Sequence, residues 1–165
     1  VKRRDRQDNI KLGPGGIREI EFIAQVFQLI RGGHERALQQ QSTLPVLAVL
    51  GERGFIAPAA VGELSAAYVF LRNLEHRLQY RDDQQTQELP GDAAEYALLA
   101  ASMGYADADA FATALATHRA AVTRNFEAIF GDDSAAVHPL AALWQRAPED
   151  DSSACAAKLA ELGYR

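Results

Sequence analysis

The sequence predicts an all-α fold, an antiparallel helical bundle with a short β-like segment at its N-terminus. Apolar residues recur at helical spacing through three long stretches of the chain, which is the pattern of amphipathic helices. The connections between the stretches are short and rich in glycine or proline, and helices joined in this way usually pack antiparallel. No repeat of fixed length is visible, so a solenoid is not expected.

The first elements are a β-like segment and a long helix. Asn9 to Leu12 alternates polar and apolar residues as a strand does, and Gly13-Pro14-Gly15-Gly16 then ends regular structure. A helix is predicted over 17–31, where Gly32-Gly33 stops it. Its apolar stripe comprises Ile17, Ile20, Ile23, Ala24, Phe27 and Ile30, widened by Phe22, Val26 and Leu29.

Three shorter or longer helices follow the first, before the last long helix of the predicted bundle. A short apolar helix over 44–53 ends at Gly54, and a second long helix runs from Pro58 to about Tyr80, with proline in its first turn. Its apolar positions are Val61, Leu64, Tyr68, Leu71, Leu74 and Leu78. After a polar loop at 82–87, Asp92 is the predicted cap of a helix over 93–102.

The last long helix is predicted to begin at Asp107 or Asp109 and to end before Gly131. Its apolar positions are Phe111, Leu115, His118, Val122, Phe126 and Ile129. Beyond it, the alanine-rich stretches 139–145 and 152–162 are predicted to form two short helices.

Composition narrows the classes of function. The net charge of -5 and the pI near 5.4 argue against a nucleic-acid partner, and the basic run at residues 2–6 is interpreted as a solvated segment. No apolar run reaches the roughly 18–20 residues of a membrane span. The single Cys155 and the absence of Cys/His metal spacing predict a cytoplasmic protein without a metal site. Because the chain starts at Val1 and its one methionine is Met103, we expect a piece of a larger protein.

The glycine-rich turn before the first long helix is a candidate anion site. It would present backbone N–H groups at the positive end of a helix, and Lys11 and Arg18 could add charge for a phosphate. The pattern matches neither the P-loop nor the dinucleotide fingerprint, so a simple hinge is an equal alternative. Glu19 falls among apolar neighbours on the helix, which requires either a buried partner or a place near solvent in the first turn.

One spacing of polar residues occurs twice and defines a possible polar seam. The first helix carries Arg18, Glu21 and Gln25, and the second carries the same residue types at the same spacing, at Arg72, Glu75 and Gln79. If the two helices pack antiparallel, Arg18 could pair with Glu75 and Arg72 with Glu21 in a partly buried network. The alternative is two ordinary surface pairs three residues apart, each within one helix.

Long runs of residues carry a family resemblance. The segments IKLGPGGIREIEFIAQ at 10–25, QLIRGG at 28–33, FLRNLEHRLQ at 70–79 and DDQQTQELP at 82–90 closely resemble the region that follows a nucleotidyltransferase domain in glutamine synthetase adenylyltransferases. The resemblance covers residues 10–131 and is closer to the first, deadenylylating half of such enzymes. A PII uridylyltransferase is the related alternative, with lower similarity along 70–79.

The resemblance implies a domain division and a function. Residues 1–13 would be the edge of a missing nucleotidyltransferase domain, 14–131 its helical bundle and 132–165 a linker with short helices. The parent enzyme would adenylylate and deadenylylate glutamine synthetase under control of PII protein, with Mg, ATP and ADP. This chain lacks the Gly-Ser turn of that chemistry, and its one Asp-x-Asp spacing, Asp107-x-Asp109, lies at a predicted helix start without such a turn. We therefore expect the chain to be inactive and to bind no cofactor alone.

The resemblance also selects the residues that we expect near the nucleotide cleft, namely Lys11, Gly13, Gly15, Gly16, Arg18 and Glu21. A non-catalytic interaction or spacer bundle, whose polar seam only stabilises the core, is the alternative from a different functional class.

Overall fold

A computed structural model of the chain describes residues 8–82 and 87–131. In this part of the chain the regular structure is helical and no strand forms, which confirms the all-α class. The helices are α1 (Ile17–Arg31), α2 (Thr43–Glu52), α3 (Pro58–Asp82), α4 (Ala93–Ser102) and α5 (Ala108–Phe130), with a 3-10 turn at Arg36–Leu38. The predicted basic segment at 2–6 and the tail helices at 139–145 and 152–162 lie outside the described residues.

The ends of the helices follow the signals in the sequence. The bounds of α1 and α4 agree with the prediction, and Pro58 is the first residue of α3. Asp92 caps α4, because its side chain accepts hydrogen bonds of 3.0 Å from the backbone N–H groups of Ala94 and Glu95. None of the described helices is both long enough and apolar enough to cross a membrane.

The β-like segment is a correction. Asn9 forms an isolated antiparallel bridge with Glu88, but the chain turns immediately afterwards and no strand continues to Leu12. The cause is the Asn9 side chain, whose Oδ1 accepts from the N–H groups of Lys11 at 3.0 Å and Leu12 at 2.7 Å. An asparagine that bonds the backbone two or three residues ahead favours a turn over a strand.

The core lies where the helical stripes meet. The fully buried leucine and isoleucine residues of α1 and α3 come from the predicted stripes, and they are Ile17, Ile20, Ile23, Leu64, Leu71 and Leu74; Ala67 of α3 is fully buried as well. From α2 and α5, Val46, Leu47, Leu50, Phe111 and Val122 add to this core. The stripe of α1 is narrower than predicted, because Phe22 is 48% exposed and Leu29 is 76% exposed. Both lie three or four positions from the exposed Gln25, on the outer face of the helix.

Pairs of contacting residues give the helix directions. Near the start of α3, Glu63 accepts a 2.7 Å hydrogen bond from Arg124, late in α5. About two turns further along α3, the Phe70 ring stacks on His118, which lies earlier in α5, with 4.4 Å between the ring centroids. The partners move backwards along α5 as the chain advances along α3, so these two helices are antiparallel.

Residues 1–127 belong to one compact unit and residues 128–165 to a second, of which the structure describes 128–131. The predicted boundaries at residues 13 and 131 stay predictions.

Candidate functional site

Residues 8–16, which we call the junction turn, lead into α1 and are attached to two other parts of the bundle through their backbone. The N–H of Ile10 donates to the carbonyl of Gln87 at 2.9 Å, beside the bridge between Asn9 and Glu88. From α5, the guanidinium of Arg119 donates to the carbonyl of Asn9 at 2.9 Å. Ile10 itself is fully buried, so the turn is part of the core rather than a loose hinge.

The glycines of the junction turn are required by close packing. Gly15 has a φ of +69°, and a Cβ built on it would overlap the carbonyl oxygen of Arg119 and lie 2.8 Å from its carbonyl carbon. A Cβ on Gly16 would lie 2.7 Å from the carbonyl oxygens of both Gly13 and Lys11. These distances are shorter than any side-chain carbon tolerates. Glycine at position 15 therefore allows α5 to approach the turn this closely, and glycine at position 16 allows the turn to fold back on itself.

The backbone N–H groups at the start of α1 are already used within the fold. Gly16 donates to Gly13 at 3.0 Å, Ile17 donates to the carbonyl of Ile10 at 3.2 Å, and Arg18 donates to that of Lys11 at 3.1 Å. The expectation that this turn exposes free N–H groups to a phosphate is therefore wrong. An anion that approaches the turn would have to be held by side chains, and those of Lys11 and Arg18 are the candidates.

Glu19 has the buried partner that its position required. Its Oε2 accepts a 3.1 Å hydrogen bond from the N–H of Gly15. The N–H group of Gly15, like those of the residues that follow it, therefore has a partner within the fold. Burial raises the pKa of this half-buried carboxyl above its usual range, while the Gly15 N–H and the charge of Arg119 oppose the rise and Glu127 adds to it. Glu19 therefore fastens the junction turn to its own helix.

The most buried charge in the described part of the chain is the carboxylate of Glu75 in α3, with a residue exposure of 2%. It accepts a 2.6 Å hydrogen bond on Oε2 from Arg72 and a 3.2 Å bond on Oε1 from Lys11 of the junction turn. We call these three residues the ionic triad. The Arg72 guanidinium also lies 5.8 Å from the centre of the Tyr68 ring, in cation–π range.

The polar seam does not cross-pair as the sequence suggested. Glu75 pairs with Arg72 in its own helix and with Lys11, not with Arg18, and Arg72 pairs with Glu75, not with Glu21. An arginine three residues away on the same helix is already within reach, and the junction turn brings Lys11 to the remaining oxygen.

The other seam residues lie outside the triad. Arg18 and Gln25 are exposed, while Glu21 and Gln79 are half-buried. Sequence reasoning missed the contact between Lys11 and Glu75, because the two residues are 64 positions apart and no local pattern links them.

A shallow apolar groove lies away from the triad and has a volume of about 690 Å³. Its lining comes from α2, α3 and the connection before α5, and includes Leu44, Val69, Phe70, Asn73, Met103 and Tyr105. Nucleotide phosphates bind where cations or backbone N–H groups converge, and this lining contains no charged side chain. The lining of the groove therefore offers no charged group to a nucleotide phosphate.

The described residues, 8–82 and 87–131, contain no group of three His, Cys, Asp or Glu side chains that could hold a metal ion. A two-metal phosphoryl-transfer centre needs several carboxylates in one place, so these residues do not fit one.

Fold and site together define an all-α helical domain whose first helix is entered through a tightly packed glycine-rich turn. Residues 1–130 match the family described as GlnD PII-uridylyltransferase, and the chain belongs to this family.

Similar proteins carry a more particular name, bifunctional glutamine synthetase adenylyltransferase/adenylyl-removing enzyme. The chain is 56% identical over 164 residues to the one from Aromatoleum aromaticum, which covers 99% of this chain and 17% of the relative. It is also 56% identical over 167 residues to that of Chromobacterium violaceum and 48% identical over 174 residues to that of Burkholderia mallei, covering 18% of each. The resemblance found in the sequence is confirmed, and the chain spans about a sixth of the length of these relatives.

Proposed function

We propose that this chain is the helical domain of a bifunctional enzyme that adenylylates and deadenylylates glutamine synthetase, and that it serves the deadenylylating, phosphorolytic half. The observation that carries the proposal is the 56% identity, maintained over 99% of the chain, to enzymes with this name. Identity of this level over nearly all of the chain supports a shared role as well as a shared fold.

Within that enzyme, the domain would close one side of the nucleotide cleft or help to dock the substrate enzyme. The side chains that support a cleft role are those of the exposed Arg18 and the partly exposed Lys11, which lie at the same end of α1. Glu21 lies one turn further along the helix. The glycines at 13, 15 and 16 would contribute shape rather than direct contacts, since their N–H groups bond within the turn or, for Gly15, to the side chain of Glu19 in α1.

The proposal assigns cofactors and partners to the parent enzyme. Mg with ATP or ADP would be bound by an adjacent nucleotidyltransferase domain, because the described residues of this chain contain no suitable group of carboxylates. Glutamine synthetase would be the substrate protein, PII the regulator and the cytoplasm the location. This chain alone would show neither adenylyl transfer nor phosphorolysis.

Two other functions are the alternatives to this proposal, and one observation favours each of them. The family's description favours the helical domain of a PII uridylyltransferase, whereas the names of the 48–56% identical relatives favour the adenylyltransferase. The second alternative is a spacer bundle, for which the observation is the complete internal use of the N–H groups at the start of α1.

Charge reversal at Arg18 in the full-length enzyme tests the cleft role. Arg18→Glu should lower the rate of deadenylylation by about tenfold or more, the effect of losing one charge-assisted contact to a phosphate. Arg36→Glu, at an exposed arginine of the 3-10 turn, is the matched control and should leave the rate unchanged. Equal rates for wild type and both variants would support the spacer bundle, as would unchanged ATP and ADP affinities in titrations of the same proteins.

A further inference from the structure

The ionic triad has an unusual balance of burial. The Glu75 side chain is 3% exposed, whereas those of Lys11 and Arg72 are 29% and 38% exposed. The carboxylate therefore lies beneath the two cations, which reach the surface. Since a buried carboxylate is stabilised only when its partners stay in place, Glu75 holds both cations in a defined position.

The two cations are close enough to share a ligand. They bond to different oxygens of one carboxylate, so Lys11 Nζ and Arg72 Nη1 are at most about 8 Å apart. Glu75 takes one hydrogen bond from each of them, and in the described part of the chain their other donors make no further hydrogen bond. Two positive charges against one negative charge leave a surplus that faces solvent.

We propose that Lys11 and Arg72 form a binding site for a tetrahedral oxyanion of the phosphate class, with Glu75 as the residue that positions both cations. A guanidinium offers a fork of parallel donors and an ammonium offers a point charge, and the two together match the several oxygens of a phosphoryl group. The Tyr68 ring supports the guanidinium from below. The inference deepens the cleft role proposed for Lys11 and in that respect rests on the proposed function; it adds a second cation and the residue that positions both.

A purely structural triad would make a different prediction. In that case Lys11 and Arg72 would serve only to neutralise Glu75, and added phosphate would act on the protein through ionic strength alone. A site would instead show saturable binding that depends on both cations and distinguishes phosphate from a simple salt.

The test is a titration of the 165-residue chain with inorganic phosphate, followed by NMR at the side-chain N–H of Arg72 and the backbone N–H of Lys11. Sodium chloride of equal ionic strength provides the reference. We expect saturable shifts with a Kd of about 1 mM, as suits a small ion at two partly hydrated cations. Arg72→Gln and Lys11→Gln should each weaken binding about tenfold.

The control is Arg53→Gln, because Arg53 forms an ion pair of 3.0 Å with Glu35, and no second cation of the described residues is paired with that carboxylate. This variant should bind phosphate as the wild type does. Should Arg72→Gln fail to fold, Arg72→Lys keeps the charge, loses the fork and should weaken binding about threefold. Shifts that chloride reproduces, or undiminished affinity in Lys11→Gln and Arg72→Lys, would overturn the site. That result would leave the proposed function standing, since the rate of deadenylylation tests it separately.

Discussion

Replacing Gly15 with alanine tests whether the close contact between the junction turn and α5 limits the fold. Two costs add at this position. The φ of +69° lies in the left-handed region, which costs an alanine about 1–2 kcal/mol. The new Cβ would also overlap the backbone of Arg119, which cannot rotate away as a side chain can, and such overpacking costs about 1–3 kcal/mol. Gly15→Ala should therefore lower the free energy of unfolding by about 2–5 kcal/mol.

The chain supplies a matched control for this substitution. Gly54 has the same φ of +69°, and a Cβ at that position would meet nothing within 4 Å. Gly54→Ala should thus carry only the conformational cost, and the gain from a stiffer unfolded chain is common to both variants. Urea denaturation followed by circular dichroism gives both free energies. The Gly15 variant should unfold at a urea concentration about 1 M lower than the Gly54 variant, with an unchanged slope. Equal losses in the two variants would refute the packing argument.

Three further predictions concern burial, capping and pH. Glu75→Gln should lower the free energy of unfolding by about 1–3 kcal/mol, because two cations lose their buried carboxylate. Glu35→Gln, in the surface pair with Arg53, should lower it by less. Equal losses for the two variants in urea denaturation would contradict this reasoning from the burial of the triad. Asp92→Ala should lower the free energy of unfolding, measured by thermal denaturation, by about 1 kcal/mol, because the cap of α4 is lost. Asp92→Ser should lower it by less, because serine is an alternative cap. Burial lowers the pKa of His118 below its usual 6.5, so its contribution to stability is present above that pH and is lost as the pH falls through the folded-state pKa. Unfolding free energies between pH 5 and 7.5 should decline less steeply on acidification in His118→Phe than in wild type, and parallel curves would exclude this residue as the cause.

The helices and their ends could be predicted because their causes are local. The stripe in α3 places leucines along the buried face, at Leu64, Leu71, Leu74 and Leu78, and these residues are buried as the spacing requires. Asp92 needs only the N–H groups two and three residues ahead of it to act as a cap. The short alternation at Asn9 to Leu12 misled for an equally local reason, since the Asn9 side chain competes with the strand.

The candidate site was only partly predictable. The sequence singled out Lys11, Arg72 and Glu75 as individual residues, and it indicated that Glu19 required a partner. The cross-pairs that it offered do not form, whereas its alternative, a pair within one helix, does form between Arg72 and Glu75. The contact of Glu75 with Lys11 was missed, because it depends on how the junction turn lies against α3. Likewise, the N–H groups that looked available for a phosphate were used by carbonyls of the same turn once it had folded.

By itself, then, the sequence determined the all-α class, the positions of the five long or short helices and the family, because periodicity, caps and motif runs involve residues close together in the chain. Only the tertiary structure decided which charges meet and why Gly15 must be glycine. Lys11 and Glu75 are 64 positions apart, and Arg119 and Asn9 are 110 positions apart. Burial of the shared core brings such residues together, and the free energy of that burial depends on the whole fold rather than on any local segment.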